Sequence, residues 1–386
     1  MKDKKLVQKA DVLLINDNNM GFLGGERESQ LIIINAASRK YRTAVIQPGE
    51  FQTEIPNTTF YWRTKSLRIK SLIKNPIAFC IYFFKVAALI RKISPKVIHS
   101  NSQVSFFMVS LYKRFHLIKR DIHFVHTDRG LYTKYNKFFR WLFQFSFKYL
   151  DVLVTTTRFN MEQWQMANER KKISVSYKVI GNTAGEIYEK IDETRVSKNA
   201  YLTIGFSGRM CEWKGWNLAE EIACKINEII PDIHCKMYIS CFDEGAQKQT
   251  SQLFQRMKAA FGDRFEGKIN VPFPEMEQFY YDIDIFILTS WKKSESFGRT
   301  IVEAMSRRCA VLTTDAGGSV EVVGDKDTIC DNVEDFCANI QEWNTDRNRL
   351  SDIKKRNYER VRREYTLEKN VSQYLALYDA FAGREA

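Results

Sequence analysis

Two spacings of apolar residues alternate along this chain. Short runs with strand character stand at 11–16, 43–46, 96–99, 121–126 and 152–155, and again at 202–207, 235–240, 284–290 and 310–314. Between them lie longer stretches whose apolar positions recur at helical spacing, for example up to Ser38, across 132–149, and from Phe297 to Arg308. Strands that read as nearly continuous apolar runs, each followed by a helix, predict parallel sheets covered on both faces. The rhythm occurs twice, with no sequence repeat between the halves. The most sharply defined unit is 281–318: a strand to Ser290, a polar loop to Ser296, a helix over 297–308 and a strand over 310–314.

Within that unit Glu295 lies in the loop, and Glu303 interrupts the apolar stretch Ile301 to Met305. A lone Glu on such a helix usually faces solvent. The eight-residue spacing favours another reading, because it carries the second carboxylate from the loop into the helix's second turn, so that both flank one helix N-terminus. That terminus offers unpaired backbone N–H groups and the positive end of the helix dipole, which suits an anion. Ser296 is expected to cap it, and Gly298 to let a phosphate approach. Carboxylates on both sides of a diphosphate suit a ligand with hydroxyls at each end, as in a nucleotide-sugar. Upstream, Arg209 and Lys214 straddle a turn after a strand and can converge on one diphosphate.

The run Glu295-Ser-Phe297-Gly298-Arg299-Thr300-Ile-Val-Glu303-Ala-Met305 resembles the signature of the retaining glycosyltransferases of family 4, which have the GT-B fold. Gly208-Arg209 with Lys214-Gly215, and the segment around Asp315 to Glu321, match further elements of that family, and the resemblance extends in pieces over nearly the whole chain. Gly181 and Thr183 depart from it, as do Arg308, where glycine is usual, and Ala310, where proline is usual. The resemblance implies an α/β GT-B architecture: two Rossmann-like βαβ domains facing across a cleft, with a C-terminal helix crossing back to the first. The expected boundaries are an acceptor-binding domain at 1–182, a linker at 183–200, a nucleotide-sugar-binding domain at 201–363 and the returning helix at 364–386.

It also implies site residues. Glu295 and His126 would contact the donor sugar, Arg209 and Lys214 the diphosphate, and Glu303 the ribose diol. Phe297, Gly298, Arg299 and Thr300 would line the phosphate end. Gly24 and Gly25, in a glycine-rich turn after the first strand, and Asp128, at a strand end, would be substrate-binding. Residues 235–240 and 267–275 would form the base pocket. No metal or other cofactor is expected, since Arg and Lys neutralise the phosphates and the nucleotide-sugar is itself a substrate.

Composition changes this picture mainly through charge. Through residue 180 there are 31 basic and 12 acidic side chains; beyond it, 28 and 34. The first half is built to meet something anionic. Arg63, Lys65, Arg68 and Lys70, interleaved with Ile69, Leu72 and Ile73, form a basic amphipathic stretch suited to an anionic membrane surface. The competing reading is a solvated helix packed on the core. No apolar run reaches the roughly 18 to 20 residues that cross a bilayer, and no signal peptide precedes the first strand, so a cytoplasmic protein peripherally bound to the inner face of the membrane is expected. Eight cysteines without a Cys-x-x-Cys pair suit reduced thiols.

The expected activity is therefore retaining transfer of a sugar from a UDP- or GDP-sugar to a lipid-linked or membrane-presented glycan in surface polysaccharide biosynthesis. A nucleic-acid binder would explain the basic half but not the paired glutamates, so no nucleic-acid partner is expected. A non-catalytic sugar-binding subunit on the same fold is the other alternative.

Overall fold

The computed structural model describes residues 7–21, 25–51, 53–196 and 200–383. They form two compact units, one running through Gly181 and resuming at Glu368, the other spanning Asn182–Leu367.

In chain order the first unit contains β1 (Val12–Ile15), α1 (Gly25–Ser38), β2 (Thr43–Gln47), β3 (Thr58–Trp62), α2 (Ile69–Ile73), α3 (Pro76–Ile93), β4 (Val97–Ser100), α4 (Gln103–Arg114), β5 (His123–Asp128), α5 (Lys137–Phe147), β6 (Val152–Thr155), α6 (Arg158–Glu169) and β7 (Ser176–Val179). Its strands form one parallel sheet in the order β3-β2-β1-β4-β5-β6-β7. Alternate strand residues face opposite ways, and both sets are apolar. Leu13, Ile15, Ile98, Phe124 and Leu153 pack with side chains of α3 to α6, whereas Val12, Leu14, Val97, Val125 and Val154 pack with α1.

The second unit contains β8 (Thr203–Arg209), α7 (Trp216–Ile229), β9 (His234–Ser240), α8 (Glu244–Phe261), β10 (Phe265–Ile269), α9 (Phe273–Tyr281), β11 (Ile285–Leu288), α10 (Arg299–Ser306), β12 (Ala310–Thr313), α11 (Gly318–Val323), α12 (Val333–Thr345) and α13 (Arg347–Glu364). Its parallel sheet has the order β10-β9-β8-β11-β12, so the arginine strand and the strand before the signature loop are neighbours. The last helix, α14 (Leu367–Ala382), packs Tyr374, Leu377 and Tyr378 on the α1 face of the first sheet. His99 on β4 locks it there, with Nδ1 2.7 Å from the Tyr378 hydroxyl and Nε2 2.8 Å from Thr127 Oγ1.

Three local expectations change. The basic stretch after β3 yields only the five-residue α2, because Asn75 precedes Pro76 and a residue before proline avoids helical backbone. Asn75 instead caps α3, accepting from Ala78 N at 3.1 Å. The helix expected over 132–149 is a short 3₁₀ turn followed by α5, capped by Asn136. Residues 183–196 are not a free connector: Ala184 and Tyr188 are buried with Phe279, Phe286 and Ile301 in the second unit's core.

Candidate active site

The signature helix α10 begins at Arg299, with Gly298 at its N-cap in a left-handed conformation, φ 88°. Ser296 therefore does not provide the cap: it lies two residues outside, and the cap residue has no side chain. That geometry requires glycine, since other residues pay roughly 1–2 kcal/mol there. The cap residue therefore contributes no side-chain acceptor to the helix start. At it, the hydroxyls of Thr300 and Ser319 are buried without a hydrogen-bond partner among the described residues, as is that of Ser294 in the preceding loop. A Cβ placed on Gly298 would lie 3.6 Å from Ser319 Cβ, which puts Ser319 directly beside the cap. Buried hydroxyls left unpaired at a helix N-terminus are the donor set an anionic ligand would satisfy.

The two glutamates lie on either side of this start, and neither faces solvent. Glu295 is buried in the loop, paired with Lys214 Nζ and accepting from Ser290 Oγ at 2.7 Å. Lys214 is brought there by a turn fastened to the end of β11: Thr289 Oγ1 donates to Lys214 O at 3.0 Å and Trp291 N to Trp213 O at 2.9 Å. The next residue, Gly215, has φ 68°, and a Cβ on it would collide with the Thr289 carbonyl. Glu303, one turn into α10, accepts from the Tyr280 hydroxyl at 2.8 Å and lies 3.0 Å from Arg299 Nε. Tyr280 is in turn 3.2 Å from Ser207 Oγ on β8. Burial lifts the Glu303 carboxyl above its ordinary range, and Arg299, then Tyr280, offset part of that rise.

Thus the β8 end meets both carboxylates, Glu295 directly through Lys214 and Glu303 through Tyr280 and Ser207. Arg209, the last residue of β8, is exposed, its guanidinium 4.6 Å from the Phe242 ring centroid. Two other expected ligand residues are differently employed. Phe297 is buried edge-on against Tyr365, so its side chain packs the core. The Arg299 side chain runs away from the helix start to Glu303, over Phe273, and donates to Ala184 O at 2.7 Å. A cavity of about 960 Å³ adjoins this site, lined by Gly215, Thr289 and Ser290 and, on the α7–α8 side, by Trp216 and Gln249. Neither glutamate lines it.

In the first unit, His126 is buried on β5 with its ring stacked on Phe106, centroids 4.2 Å apart. Its Nδ1 contacts Ser100 Oγ at 2.9 Å, while Nε2 has no hydrogen-bond partner among the described residues. Burial pushes its pKa down to about 4, so it is neutral at physiological pH. Asp128 is not available to a substrate. One oxygen accepts from Gly130 N and the Tyr135 hydroxyl, the other from Asn160 Nδ2 and Trp164 Nε1. Those four bonds fill the carboxylate's acceptor sites and fix the loop after β5. Gly25 opens α1; Gly24 lies outside the described residues. Lys65, Arg68 and Lys70 are exposed, and Arg63 donates to Trp62 O at 2.8 Å.

Sequence reasoning missed Tyr280, Ser207, Ser290 and Ser319. Nothing in their local spacing distinguishes them from ordinary core or turn residues.

Residues 33–180 match the family model for Glycosyltransferase Family 4, and residues 188–360 match that for Glycosyl transferases group 1. Together with two parallel α/β units and the paired-glutamate site, this defines a glycosyltransferase of the GT-B fold. The two matches together support a family 4 glycosyltransferase. Among solved structures, it is similar to Alr3699/HepE of Anabaena in complex with UDP and glucose (TM-score 0.74, 17% identity, 96% of this chain and 100% of that one). It also resembles a glycosyltransferase of Rickettsia africae (0.75, 18%, 97% and 99%) and the sucrose-phosphate synthase of Thermosynechococcus elongatus (0.76, 14%, 96% and 98%). No curated protein matches the sequence.

Proposed function

We propose that this enzyme transfers a sugar from a UDP- or GDP-sugar to a hydroxyl of a lipid-linked or otherwise membrane-presented glycan, with retention of configuration, in surface polysaccharide synthesis. One observation carries the donor assignment: a glycine-capped helix start whose Thr300 and Ser319 hydroxyls lack partners among the described residues, flanked by two buried carboxylates and served by Lys214. UDP and glucose in the Anabaena structure support a nucleotide-sugar in a site of this type.

As the glycosidic bond breaks, the leaving diphosphate gains negative charge. Cations and N–H groups aimed at it therefore stabilise the transition state more than the ground state. Lys214, Arg209 and the α10 start take that role. Glu303 accepts from the ribose diol, Glu295 from donor sugar hydroxyls, and the free Nε2 of His126 from a sugar hydroxyl. Retaining glycosidases use two carboxylates about 5 Å apart and a covalent intermediate. Here the reading is front-face attack, with the diphosphate helping to remove the acceptor proton. Arg209 and Lys214 supply the countercharge, so turnover is expected to survive EDTA.

The basic first half supports a position at the inner face of the cytoplasmic membrane. Among the described residues, no helix is long and apolar enough to cross one. The deciding experiment is hydrolysis and transfer from a panel of UDP-, GDP- and ADP-sugars, with the anomer of the product read by NMR. Absence of turnover on every donor, together with unchanged nucleotide binding by Glu303→Ala, would reject the reading.

A further inference from the structure

The outer surface of the first unit carries an apolar face that the fold leaves uncovered. On α3, Tyr82, Val86, Leu89 and Ile93 are buried against the sheet, while Ile77, Ile81 and Phe84 lie on the opposite side at i, i+4 and i+7. Ile77 is 75% and Phe84 59% exposed. On α5, Phe143 and Phe147 face the core, whereas Phe138 and Trp141 point away from it, 62% and 53% exposed. Both helices cover the same sheet face, with α4 between them: Phe83 of α3 contacts Tyr112 of α4, and Phe107 of α4 stacks on Phe139 of α5. Their stripes therefore point in one direction. Each stripe also occupies the first half of its helix, the end nearest the C-terminal edge of the strands. Ile73 of α2 and Leu67 before it, both 48% exposed, add to that end.

The charge around this face identifies what covers it. Residues 55–120 contain 13 Lys and Arg and not one Asp or Glu. Lys65, Lys70, Lys74 and Lys85 are exposed among or beside the apolar side chains, and Lys137 lies at the start of α5. A protein partner for so one-sided a patch would have to be both strongly acidic and apolar. The surface of an anionic bilayer is both by construction, with phosphate at the headgroups and hydrocarbon beneath.

We infer that the first unit inserts Ile77, Ile81 and Phe84 of α3 and Phe138 and Trp141 of α5 into an anionic phospholipid leaflet, with the surrounding lysines at headgroup level. This deepens the membrane-presented acceptor in the reading above. It goes beyond electrostatic contact through Arg63, Lys65, Arg68 and Lys70, because it assigns an apolar insertion face on helices that the basic stretch does not include.

The test uses the full-length protein with vesicles of phosphatidylcholine, with and without phosphatidylglycerol, and a matched set carrying brominated acyl chains. Tryptophan emission should be quenched by the brominated anionic vesicles, and Trp141→Phe should remove most of that quenching. The variant Ile77→Ser/Ile81→Ser/Phe84→Ser should pellet with anionic vesicles at least about tenfold less well, since each buried aliphatic or aromatic side chain contributes strongly to partitioning. Its donor hydrolysis in solution should match the parent, because none of the three touches the donor site. Vesicle binding without quenching would reduce the contact to surface electrostatics and overturn insertion. A dimer in sedimentation velocity that the triple variant abolishes would show that a second copy covers the face, and would also overturn it. Donor turnover is read separately, so loss of the enzymatic reading and loss of the insertion face are distinct outcomes.

Discussion

Arg299 and Glu303 face each other one turn apart on α10, Nε 3.0 Å from Oε1, with both side chains nearly closed to solvent. The arginine also ties Ala184, at the start of the second unit, to the helix that carries Glu303, the carboxylate proposed above to bind the ribose. Removing it leaves Glu303 buried with only Tyr280. Arg299→Ala should therefore weaken nucleotide binding by about 10- to 100-fold, the equivalent of one charge-assisted hydrogen bond, with a smaller effect on kcat. A carboxylate must be ionised to accept from two ribose hydroxyls. Burial already raises the Glu303 pKa and Arg299 opposes that rise, so the variant should lose affinity at a higher pH than the parent. Titration calorimetry with UDP or GDP across the acidic range checks it. Superimposable pH limbs would remove Arg299 as a positioning residue.

The Lys214–Glu295 pair makes a prediction of opposite signs. In the donor-free protein the lysine is neutralised by a carboxylate that a diphosphate would have to share or displace. Lys214→Met should weaken binding of free nucleoside diphosphate by about 10- to 100-fold. Glu295→Gln should bind the free diphosphate tighter than the parent, by a few-fold, because a competing negative charge is gone. The same variant should transfer sugar about 10- to 100-fold more slowly, having lost a charged acceptor for the sugar hydroxyls. Weaker diphosphate binding by Glu295→Gln would contradict this arrangement.

Why α10 was legible in the sequence, and its surroundings were not, has a physical basis. Two glutamates eight residues apart, one before a glycine and one within the apolar helix that follows, mark a helix start between carboxylates whatever lies nearby. Their partners come from other elements: Tyr280 from α9, Ser290 from the end of β11, Lys214 from the turn after β8. No local pattern states which hydroxyl meets which carboxylate. Asp128 shows the reverse error, since a carboxylate at a parallel strand end suggests a ligand until Asn160 and Trp164 of α6 are seen to occupy it. Periodicity is also ambiguous on α3 and α5. Each has apolar residues on two opposite faces, and spacing alone does not say which face the sheet covers.

The buried histidine on β5 gives the protein a pH dependence of known sign. His126 falls from an ordinary value near 6.5 to about 4 on burial, so between those values the unfolded chain binds a proton that the folded one refuses. Its contribution is fully present above about pH 6.5 and is lost as pH falls through 4, with an upper limit on the order of 3 kcal/mol. His99, also buried and shifted down, adds in the same direction. Glu303 acts oppositely: its folded value is raised, so its contribution fades as pH rises through that value. Two buried histidines act against it. Urea midpoints measured at pH 7 and pH 5 should fall with acidification in the parent and fall less in His126→Gln. An equal fall in both proteins would separate the acid sensitivity from His126.

The turn that ends α10 carries a residue in an unfavourable conformation, and this can be measured. Arg308 follows the C-cap Arg307 with φ 59°, in the left-handed region where this position usually takes glycine. Its guanidinium pairs with Glu193 and lies 5.1 Å from the Tyr358 ring centroid, contacts that are partly exposed and worth no more than about 1 kcal/mol. Arg308→Ala removes those contacts and keeps the left-handed strain, whereas Arg308→Gly removes both. The glycine variant should accordingly be more stable than the alanine variant by about 1 kcal/mol and at least equal to the parent. Thermal and urea unfolding of the three proteins decide it, with nucleotide binding as a control because the turn lies at the far end of α10 from Gly298. An alanine variant as stable as the glycine one would mean that the turn relaxes out of the left-handed region once the arginine is gone.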